Sequence, residues 1–337
     1  MKKIIEINNL KKHFEVNPSY SLKTNYVKAV DGVSFDIYEG ETLGLVGESG
    51  CGKTTTGRLI LRLIKPTAGE ILLDGQNINN ISERQFRHMR KDIQVVFQNP
   101  YSALDPKLTI TDILNEPLAK HKIVSKYQYD KEVKRLLDMV GLSNRDMSRF
   151  PHEFSGGQRQ RIGIARAFAT KPKFIICDEP VSALDVSVQS QILNLLVNLQ
   201  KEFKISYLFI AHGLNVIRYM SKRVGVMYLG KIVEMGEAED IFNNPMHPYT
   251  KALLAAAPIP DPFLKRERKI LEGEVPSSIS PPLGCAFHPR CEYAMDICKK
   301  EMPRLKDYHE KHTVACHLLH DKMLTEVQYE QKIKSNY

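Results

Sequence analysis

The chain has 337 residues, 42% of them hydrophobic and 26% charged, a composition that can bury a core and excludes a low-complexity or disordered chain. At roughly 150 residues per domain, this length predicts about two domains. The 48 Lys and Arg residues outnumber the 39 Asp and Glu residues, and the net charge of +9 suggests an anionic partner such as phosphate, nucleic acid or an anionic membrane face.

No apolar run approaches the ~18 residues that cross a bilayer. The N-terminal residues 1–6 become polar too early for a signal peptide. We therefore expect neither an integral membrane protein nor a secreted one. Six cysteines without an export signal indicate a reducing compartment, where clustered thiols bind metal more often than they form disulfides.

The elements predicted in chain order alternate between strands and helices. Two short strand patterns precede a helix with an apolar face, which Pro66 is expected to end. The predicted strands are 33–37, 42–46, 174–177 and 207–210, and the predicted helices are one carrying Leu59 to Ile64, two stretches within 107–150, 155–169 and 189–199. This order predicts an α/β fold with a parallel sheet and crossover helices.

A glycine loop joins the strand 42–46 to the first helix, and residues 47–54 fit the pattern G-x-x-x-x-G-K-[ST]. The backbone N–H groups of such a loop converge on phosphate oxygens at a helix N-terminus, where the helix dipole favours negative charge. We expect Lys53 to neutralise the β- and γ-phosphates and the Thr54 hydroxyl to bind Mg²⁺. The residues expected to bind nucleotide here are Gly47, Glu48, Ser49, Gly50, Cys51, Gly52, Lys53, Thr54 and Thr55.

Two adjacent acids end the apolar strand 174–177. Unpaired carboxylates are costly beside buried apolar residues, so Mg²⁺ and a water molecule are suitable partners. We expect Asp178 to hold the metal, and Glu179, pointing the other way by strand alternation, to orient or deprotonate the attacking water. A solvated Asp-Glu-Pro turn is the alternative, and the phosphate loop upstream makes it the minor one.

A second anion-binding helix start lies at Ser155, Gly156, Gly157 and Gln158. Serine is a good N-cap, and the two glycines permit close approach of a ligand to the backbone. One nucleotide does not need two such sites in one chain. The sequence therefore predicts a dimer in which this turn closes over the ATP of the partner.

With these motifs the chain resembles the ATP-binding subunits of ABC transporters over about residues 4–250. Three more motifs carry the resemblance: Gln98 in the Q-loop, residues 182–185 of the D-loop with Asp185, and the switch histidine His212. The resemblance implies a P-loop NTPase ABC ATPase core, with a RecA-like sheet and a helical subdomain at about 100–165. It also implies that Gln98 contacts Mg²⁺ or the water, that Asp185 belongs to the dimer seam and that His212 contacts the γ-phosphate. Together with Glu179, Gln98 and His212 are the expected catalytic residues.

Within that family, segments 47–53, 97–106 and 244–250 most resemble the oligopeptide/dipeptide importer ATPases. Cys51 and the pair Gly57-Arg58 favour the F-type subunit, which pairs with a distinct D-type ATPase. Gly213 departs from the family pattern, which has Asp after the switch histidine. The resemblance implies two membrane permease subunits, an extracellular substrate-binding protein and a peripheral position on the cytoplasmic side of the cell membrane, with no nucleic acid.

The adenine ring of ATP is expected to stack on an aromatic side chain upstream of the phosphate loop. Phe14 is the first choice and Tyr26 the second, because the stretch between them looks like an insertion.

Prolines crowd residues 245–262 and predict a linker into a small separate unit, so we divide the chain into an ATPase domain at 1–250 and a C-terminal extension at 251–337. The extension carries Cys285, Cys291, Cys298 and Cys316, whose gaps of five, six and seventeen residues are wider than usual for structural zinc. Four thiolates suit a [4Fe–4S] cluster, and the resemblance to peptide-importer ATPases favours it over zinc. His288, His312 and His317 are alternative ligands, and four unlinked cysteines are the alternative to any metal site.

Three functions compete. The first is a transport motor that hydrolyses ATP at a dimer interface and moves a peptide permease. The second is a soluble ABC ATPase acting on nucleic acid or ribosomes, which the charge of +9 permits, although such proteins usually carry tandem cassettes or a long insertion. The third is a small-molecule kinase, whose reaction does not need the second anion-binding turn at residues 155–158.

Overall fold

The computed structural model of the chain describes residues 2–16, 24–256, 273–309 and 311–320. The strands are β1 (Lys3–Val16), β2 (Asn25–Tyr38), β3 (Thr42–Val46), β4 (Ala68–Leu73), β5 (Gln76–Asn77), β6 (Ile93–Val96), β7 (Phe174–Asp178), β8 (Ser206–Ile210), β9 (Arg223–Tyr228), β10 (Lys231–Glu237), β11 (Lys306–His309) and β12 (His312–Val314). The helices are α1 (Lys53–Ile60), α2 (Glu83–Met89), α3 (Pro100–Ala103), α4 (Ile110–His121), α5 (Tyr129–Met139), α6 (Gly156–Phe168), α7 (Val186–Phe203), α8 (Leu214–Met220), α9 (Ala238–Asn243), α10 (Pro248–Ala255), α11 (Asp296–Lys300) and α12 (His317–His320).

The strands form two sheets. The eight-stranded sheet has the order β11-β12-β10-β9-β3-β8-β7-β6, and the four-stranded sheet has the order β2-β1-β4-β5. The five strands from β9 to β6 are parallel, whereas β10, β12 and β11 are antiparallel to their neighbours. The predicted α/β fold with a parallel sheet is therefore confirmed. The smaller, antiparallel sheet is formed mainly by the first third of the chain.

Two apolar clusters cover opposite faces of the large sheet. Along β7, Ile175 and Cys177 belong to one cluster, and Phe174 and Ile176 belong to the other. This alternation follows from the period of two along a strand. All residues of β3 and β8 are buried, because both faces of a parallel sheet are covered. No helix within the described ranges combines the length and the apolar character needed to cross a bilayer.

Two predicted helices have different ends in the structure. Helix α1 ends at Ile60 rather than at Pro66, because Arg62 adopts a left-handed conformation with φ of 54° and stops the helix. Leu63 is consequently 57% exposed and does not join an apolar helix face. Helix α7 is longer than the predicted 189–199, since it begins directly after its N-cap residue Asp185.

The described part of the C-terminal extension is not a separate unit, which corrects the expectation from the proline pattern. Strand β12 pairs with β10 and brings β11 with it, so the extension adds two strands to one edge of the large sheet. Residues 257–272, which include the last part of the proline-rich linker 245–262, lie outside the described residues.

A buried, hydrogen-bonded carboxylate fastens the extension to this edge. Glu234 of β10 is fully buried, and its carboxylate accepts hydrogen bonds from His312 Nε2 at 2.8 Å and from the amides of Met246 and His247. Burial disfavours the charged form, but the hydrogen bonds from His312 and the two amides outweigh it and lower the pKa of Glu234. Since the pKa is lower in the folded protein, the stabilisation is present above the usual carboxyl range and is lost as pH falls through the lowered pKa.

Replacing Glu234 by Ala leaves a histidine and two amides unpaired in the interior. We expect a loss of unfolding free energy of about 3 kcal/mol or more, because breaking a buried pair is far costlier than breaking an exposed one. Urea unfolding of the full chain measures it. The control is Glu83→Ala, which removes the exposed partner of Arg90 and should cost less than ~1 kcal/mol. Equal losses in the two variants would contradict the assignment.

Helices α6 and α7 meet closely at a glycine. A Cβ atom on Gly157, in the first turn of α6, would overlap Cγ1 of Val188 in α7, whereas a Cβ atom on Gly163 in the same helix would meet nothing within 4 Å. The absence of a side chain at position 157 therefore sets how closely the helix that begins at Ser155 lies against α7.

We expect Gly157→Ala to lower the unfolding free energy by roughly 1–3 kcal/mol through overpacking. Gly163→Ala is the matched control and should raise it by about 0.5–1 kcal/mol, since alanine is the better helix former. Adding Val188→Ala to Gly157→Ala should cost less than the two single losses combined, which a double-mutant cycle of denaturation measurements would reveal. Simple additivity would show that the two side chains do not collide.

Candidate active site

The expected site residues follow four neighbouring parallel strands at the same edge of the sheet. The glycine loop follows β3, Gln98 follows β6, Glu179 follows β7 and His212 follows β8. The carboxyl ends of parallel strands lie side by side, and open α/β sheets bind ligands at this edge. The fold thus brings residues from distant parts of the sequence to one place.

The glycine loop has a backbone that only glycine permits at two positions. Gly47 has φ of 149° and Gly52 has φ of 109°, both in the region that L-residues rarely adopt. A Cβ atom on Gly52 would overlap the carbonyl oxygen of Ala29, and one on Gly47 would overlap that of Met227. Gly52 is also the N-cap of α1, so the loop delivers backbone N–H groups to a helix N-terminus.

The side chain of Lys53 folds back onto this loop. Its side chain is buried, and its ammonium group donates to the carbonyl oxygens of Gly47 at 2.7 Å and Glu48 at 3.1 Å. These two hydrogen bonds keep the positively charged ammonium group of Lys53 at the loop. A phosphate group is a stronger acceptor for the same ammonium, because it carries charge.

The hydroxyl of Thr54 donates to Oδ1 of Asp178 at 3.0 Å. Burial raises the pKa of Asp178, and the hydrogen bond from Thr54 only partly opposes this shift. A divalent cation would remove the cost of the buried carboxylate, and hydroxyl and carboxylate oxygens are the ligands that Mg²⁺ prefers. The pair therefore fits the expected magnesium site.

Glu179 lies between the other two expected catalytic residues, Gln98 and His212. His212 Nε2 lies 2.5 Å from its Oε1, and Gln98 Nε2 donates to its Oε2 at 2.7 Å. Glu179 is 6% exposed and has φ of 50°, a left-handed conformation that is uncommon for a non-glycine residue and frequent at functional sites. His212 reaches this position although Gly213, rather than Asp, follows it.

The serine–glycine turn caps α6. Ser155 Oγ accepts from the amide of Gln158 at 3.3 Å, and Gln158 Oε1 accepts from the amide of Ser155 at 3.0 Å, which is a capping box. Among the described residues, no hydrogen bond joins this turn to the glycine loop. Asp185 is the N-cap residue of α7 but makes no capping hydrogen bond through its side chain, and the hydroxyl of Ser182 in the same segment donates to the carbonyl oxygen of Glu179.

The two aromatic candidates for adenine stacking point in opposite directions. Phe14 pairs with Val27, and Tyr26 pairs with Glu15, so Phe14 and Tyr26 lie on opposite faces of the β1–β2 ladder. Phe14 is 37% exposed and Tyr26 is 48% exposed. At most one of them can therefore face a nucleotide in this conformation.

Four cysteines of the extension line one small cavity, which we call the cysteine cavity: Cys285, Cys291, Cys298 and Cys316. Burial raises the pKa of Cys285, and it raises that of Cys291 to about 11 and that of Cys316 to about 12. In the part of the chain that the structure describes, no group of three or more His, Cys, Asp or Glu side chains is arranged to hold a metal ion. The donor set suits a cluster or zinc, but the sulfur atoms do not converge as ligands.

The other cysteines and histidines have different roles. Cys51 and Cys177 are buried within the nucleotide motifs, as expected for packing residues. His312 is bound to Glu234, and it does not line the cysteine cavity. His288 and His317 do line it, together with His247.

Two residues at the glycine loop were missed by the sequence analysis. The hydroxyl of Tyr249 accepts from the amide of Glu48 at 2.8 Å, and Arg290 of the extension binds the Glu48 carboxylate with both terminal nitrogens. The only signal in the sequence was the position of Tyr249 within the segment 244–250. Arg290 gave none, because 242 residues separate it from Glu48.

Comparison with known proteins identifies the family of the chain. Residues 30–182 match the family model described as "ABC transporter", and residues 233–298 match "Oligopeptide/dipeptide transporter, C-terminal region". The oligopeptide transport ATP-binding protein AppF of Bacillus subtilis is 51% identical over 319 residues, which are 94% of this chain and 97% of AppF. The oligopeptide transport ATP-binding protein OppF of Salmonella typhimurium is 49% identical over 321 residues, which are 94% of this chain and 96% of OppF.

A solved structure shares the core. The dimeric, post-hydrolysis structure of the ATP-binding cassette MJ0796 with ADP and Pi superposes with a TM-score of 0.61 at 30% identity. The match covers 69% of this chain and 98% of that cassette. The chain therefore belongs to the ABC-type ATPases, in the family of the oligopeptide transport ATP-binding proteins.

Proposed function

We propose that this protein is the F-type motor subunit of a peptide import system, in which ATP binding and hydrolysis at a dimer interface move a membrane permease. The observation that carries this proposal is the contact of Glu179 with both His212 and Gln98 beside a glycine loop that is ready for phosphate. The similarity to AppF and OppF, both oligopeptide transport proteins, supports peptides as the cargo.

Glu179 is the proposed general base. Gln98 and His212 each hold one of its carboxylate oxygens, so the carboxylate keeps its orientation while each oxygen retains a lone pair for the attacking water. Glu179 accepts the proton of that water as the water oxygen attacks the γ-phosphorus, and the bond from the γ-phosphorus to the bridging β-phosphate oxygen breaks, which releases ADP and inorganic phosphate. Lys53 and His212 stabilise the charge on the γ-phosphate oxygens. Thr54 and Asp178, with Gln98 nearby, would hold Mg²⁺, which would supply positive charge to neutralise the phosphates.

The serine–glycine turn is proposed to complete the ATP site of a second subunit. Its residues lie at the start of α6 with no hydrogen bond to the glycine loop of their own chain, and Asp185 lies in the proposed seam. The adjacent Val186 is 79% exposed, which suits a residue that a partner covers. We propose a D-type paralogue as this partner, and the homodimer is the alternative.

A groove beside Gln98 is the proposed contact with the permease. Leu61, Phe86 and Pro117 line it, and Phe97, which also lines it and is next to Gln98 in sequence, is 43% exposed. A permease helix bound in this groove would contact the segment that carries Gln98, so a movement of Gln98 would displace that helix. The proposal places the protein on the cytoplasmic side of the cell membrane, in a system with two permease subunits and an extracellular substrate-binding protein.

Two finer assignments remain proposals. Phe14 is the proposed partner of the adenine ring. The four cysteines are the proposed ligands of a [4Fe–4S] cluster, with zinc as the alternative. The support for a cluster is that all four thiols face one small, largely buried cavity, whose side chains must shift to ligate it.

Glu179→Gln should retain ATP binding and lose hydrolysis by about 10²-fold or more, because the amide cannot accept the proton. With ATP, the variant should form a closed complex that size-exclusion chromatography separates from the free chain. Mass spectrometry of that complex from membranes should identify a D-type ATPase and the permease subunits. Near-normal hydrolysis would contradict the general base.

Lys53→Ala is the control for this experiment, since it should weaken ATP binding itself and form no complex. A Glu179→Gln complex that nuclease releases from nucleic acid or ribosomes would favour the soluble ABC ATPase instead. A complex that contains only this chain would support the homodimer.

For the cysteine cavity, anaerobic purification should yield brown protein that contains iron and acid-labile sulfide. Cys298→Ser should abolish both, whereas the control Cys177→Ala should keep them, because Cys177 is buried in β7 away from the extension. Metal analysis and the visible spectrum are the measurements. Colourless protein with stoichiometric zinc would overturn the cluster.

A further inference from the structure

One side chain of the C-terminal extension, that of Arg290, contacts the glycine loop. Arg290 donates from Nη1 to Glu48 Oε2 at 2.8 Å and from Nη2 to Glu48 Oε1 at 3.0 Å. The arginine side chain is only 5% exposed, and that of Glu48 is 24% exposed. A paired, bidentate contact of this kind fixes the geometry of both groups.

Aromatic rings support the arginine. Tyr228, Tyr249 and Phe287 pack together with centroid distances of 4.7 to 5.4 Å. Tyr249 also accepts the amide hydrogen of Glu48, so the same cluster holds Glu48 by its backbone while Arg290 holds its side chain. Because its surroundings are packed, Arg290 is pre-organised for this contact.

Glu48 places a negative charge inside a loop that must bind a polyanion. Its carbonyl oxygen already lies 3.1 Å from Lys53 Nζ, so this residue touches the ammonium that ATP requires. Without Arg290, the carboxylate would be an unpaired anion that repels phosphate and can compete for Lys53. With Arg290 bound, the charge of Glu48 is neutralised and its side chain is held away from that competition.

We propose that Arg290 is a positioning residue of the ATP site, which neutralises Glu48 and thereby keeps Lys53 available for the phosphates. This inference rests on the proposed role of residues 47–54 as the ATP phosphate loop. It assigns to the C-terminal extension a direct part in ATP binding, in addition to its place at the edge of the sheet.

The test is the ATP affinity of four full-length proteins: the unchanged chain, Arg290→Gln, Glu48→Gln and the variant with both changes. Equilibrium binding of ATP with Mg²⁺, measured by calorimetry, should weaken about tenfold or more in Arg290→Gln, and the loss should shrink at high salt. Glu48→Gln, which removes the carboxylate that Arg290 neutralises, is the reference for the double variant. The double variant should recover to within about threefold of it, because neither charge remains.

Rescue by Glu48→Gln separates a charge effect from structural damage. If Arg290 only fastened the extension, removing its partner could not restore ATP affinity, and a failure to rescue would overturn the proposal. Unchanged affinity in Arg290→Gln would overturn it as well. The matched control is Arg223→Gln, which removes a half-buried arginine paired with Glu41 at the opposite end of β9 and should leave ATP affinity unaltered.

Lys53→Ala, measured in the same way, distinguishes this proposal from the proposed function. If Lys53→Ala binds ATP normally, residues 47–54 are not the phosphate loop, and the proposed function fails first. If Lys53→Ala loses affinity while Arg290→Gln does not, only the role of Arg290 is refuted.

Discussion

The register of the parallel strands is the constraint on which the catalytic geometry depends. Hydrogen bonding aligns Val96 of β6 with Cys177 of β7, and Asp178 with Ile210 of β8. The amide of Glu179 continues this ladder by donating to the carbonyl of Ile210. A slip of one residue in β7 would turn its side chains to the other face of the sheet. The contacts of Glu179 with Gln98 and His212 would then be lost together.

The charged groups at this edge of the sheet are paired with other groups of the protein. Lys53 is held by two carbonyls, Asp178 by the hydroxyl of Thr54, and Glu48 by Arg290. Each of these groups is buried or partly buried, where an unpaired charge would be costly. Phosphate and Mg²⁺ carry charge and would be stronger partners for Lys53 and Asp178 than the carbonyls and the hydroxyl are.

Local motifs made much of this site predictable. A glycine loop, an acidic strand end and a capping serine are recognised from neighbouring residues, because backbone geometry and burial act over short segments. The parallel sheet also followed from the order of the elements. The end of α1 did not, since a left-handed Arg62 has no clear sequence signal. Nor did the contacts of Glu234 with His312 and of Glu48 with Arg290, which join residues 78 and 242 positions apart.

The last of these contacts has a consequence for how the protein is made. A ribosome delivers the chain from its N-terminus, so every nucleotide motif through His212 emerges before Arg290 has been synthesised. The nascent chain therefore holds a glycine loop with an uncompensated Glu48 until translation is nearly complete. Under the role proposed for Arg290, full affinity for nucleotide would arise late, when the newly made segment folds back onto the loop. Premature termination just before this codon would leave the motifs present but Glu48 without its arginine.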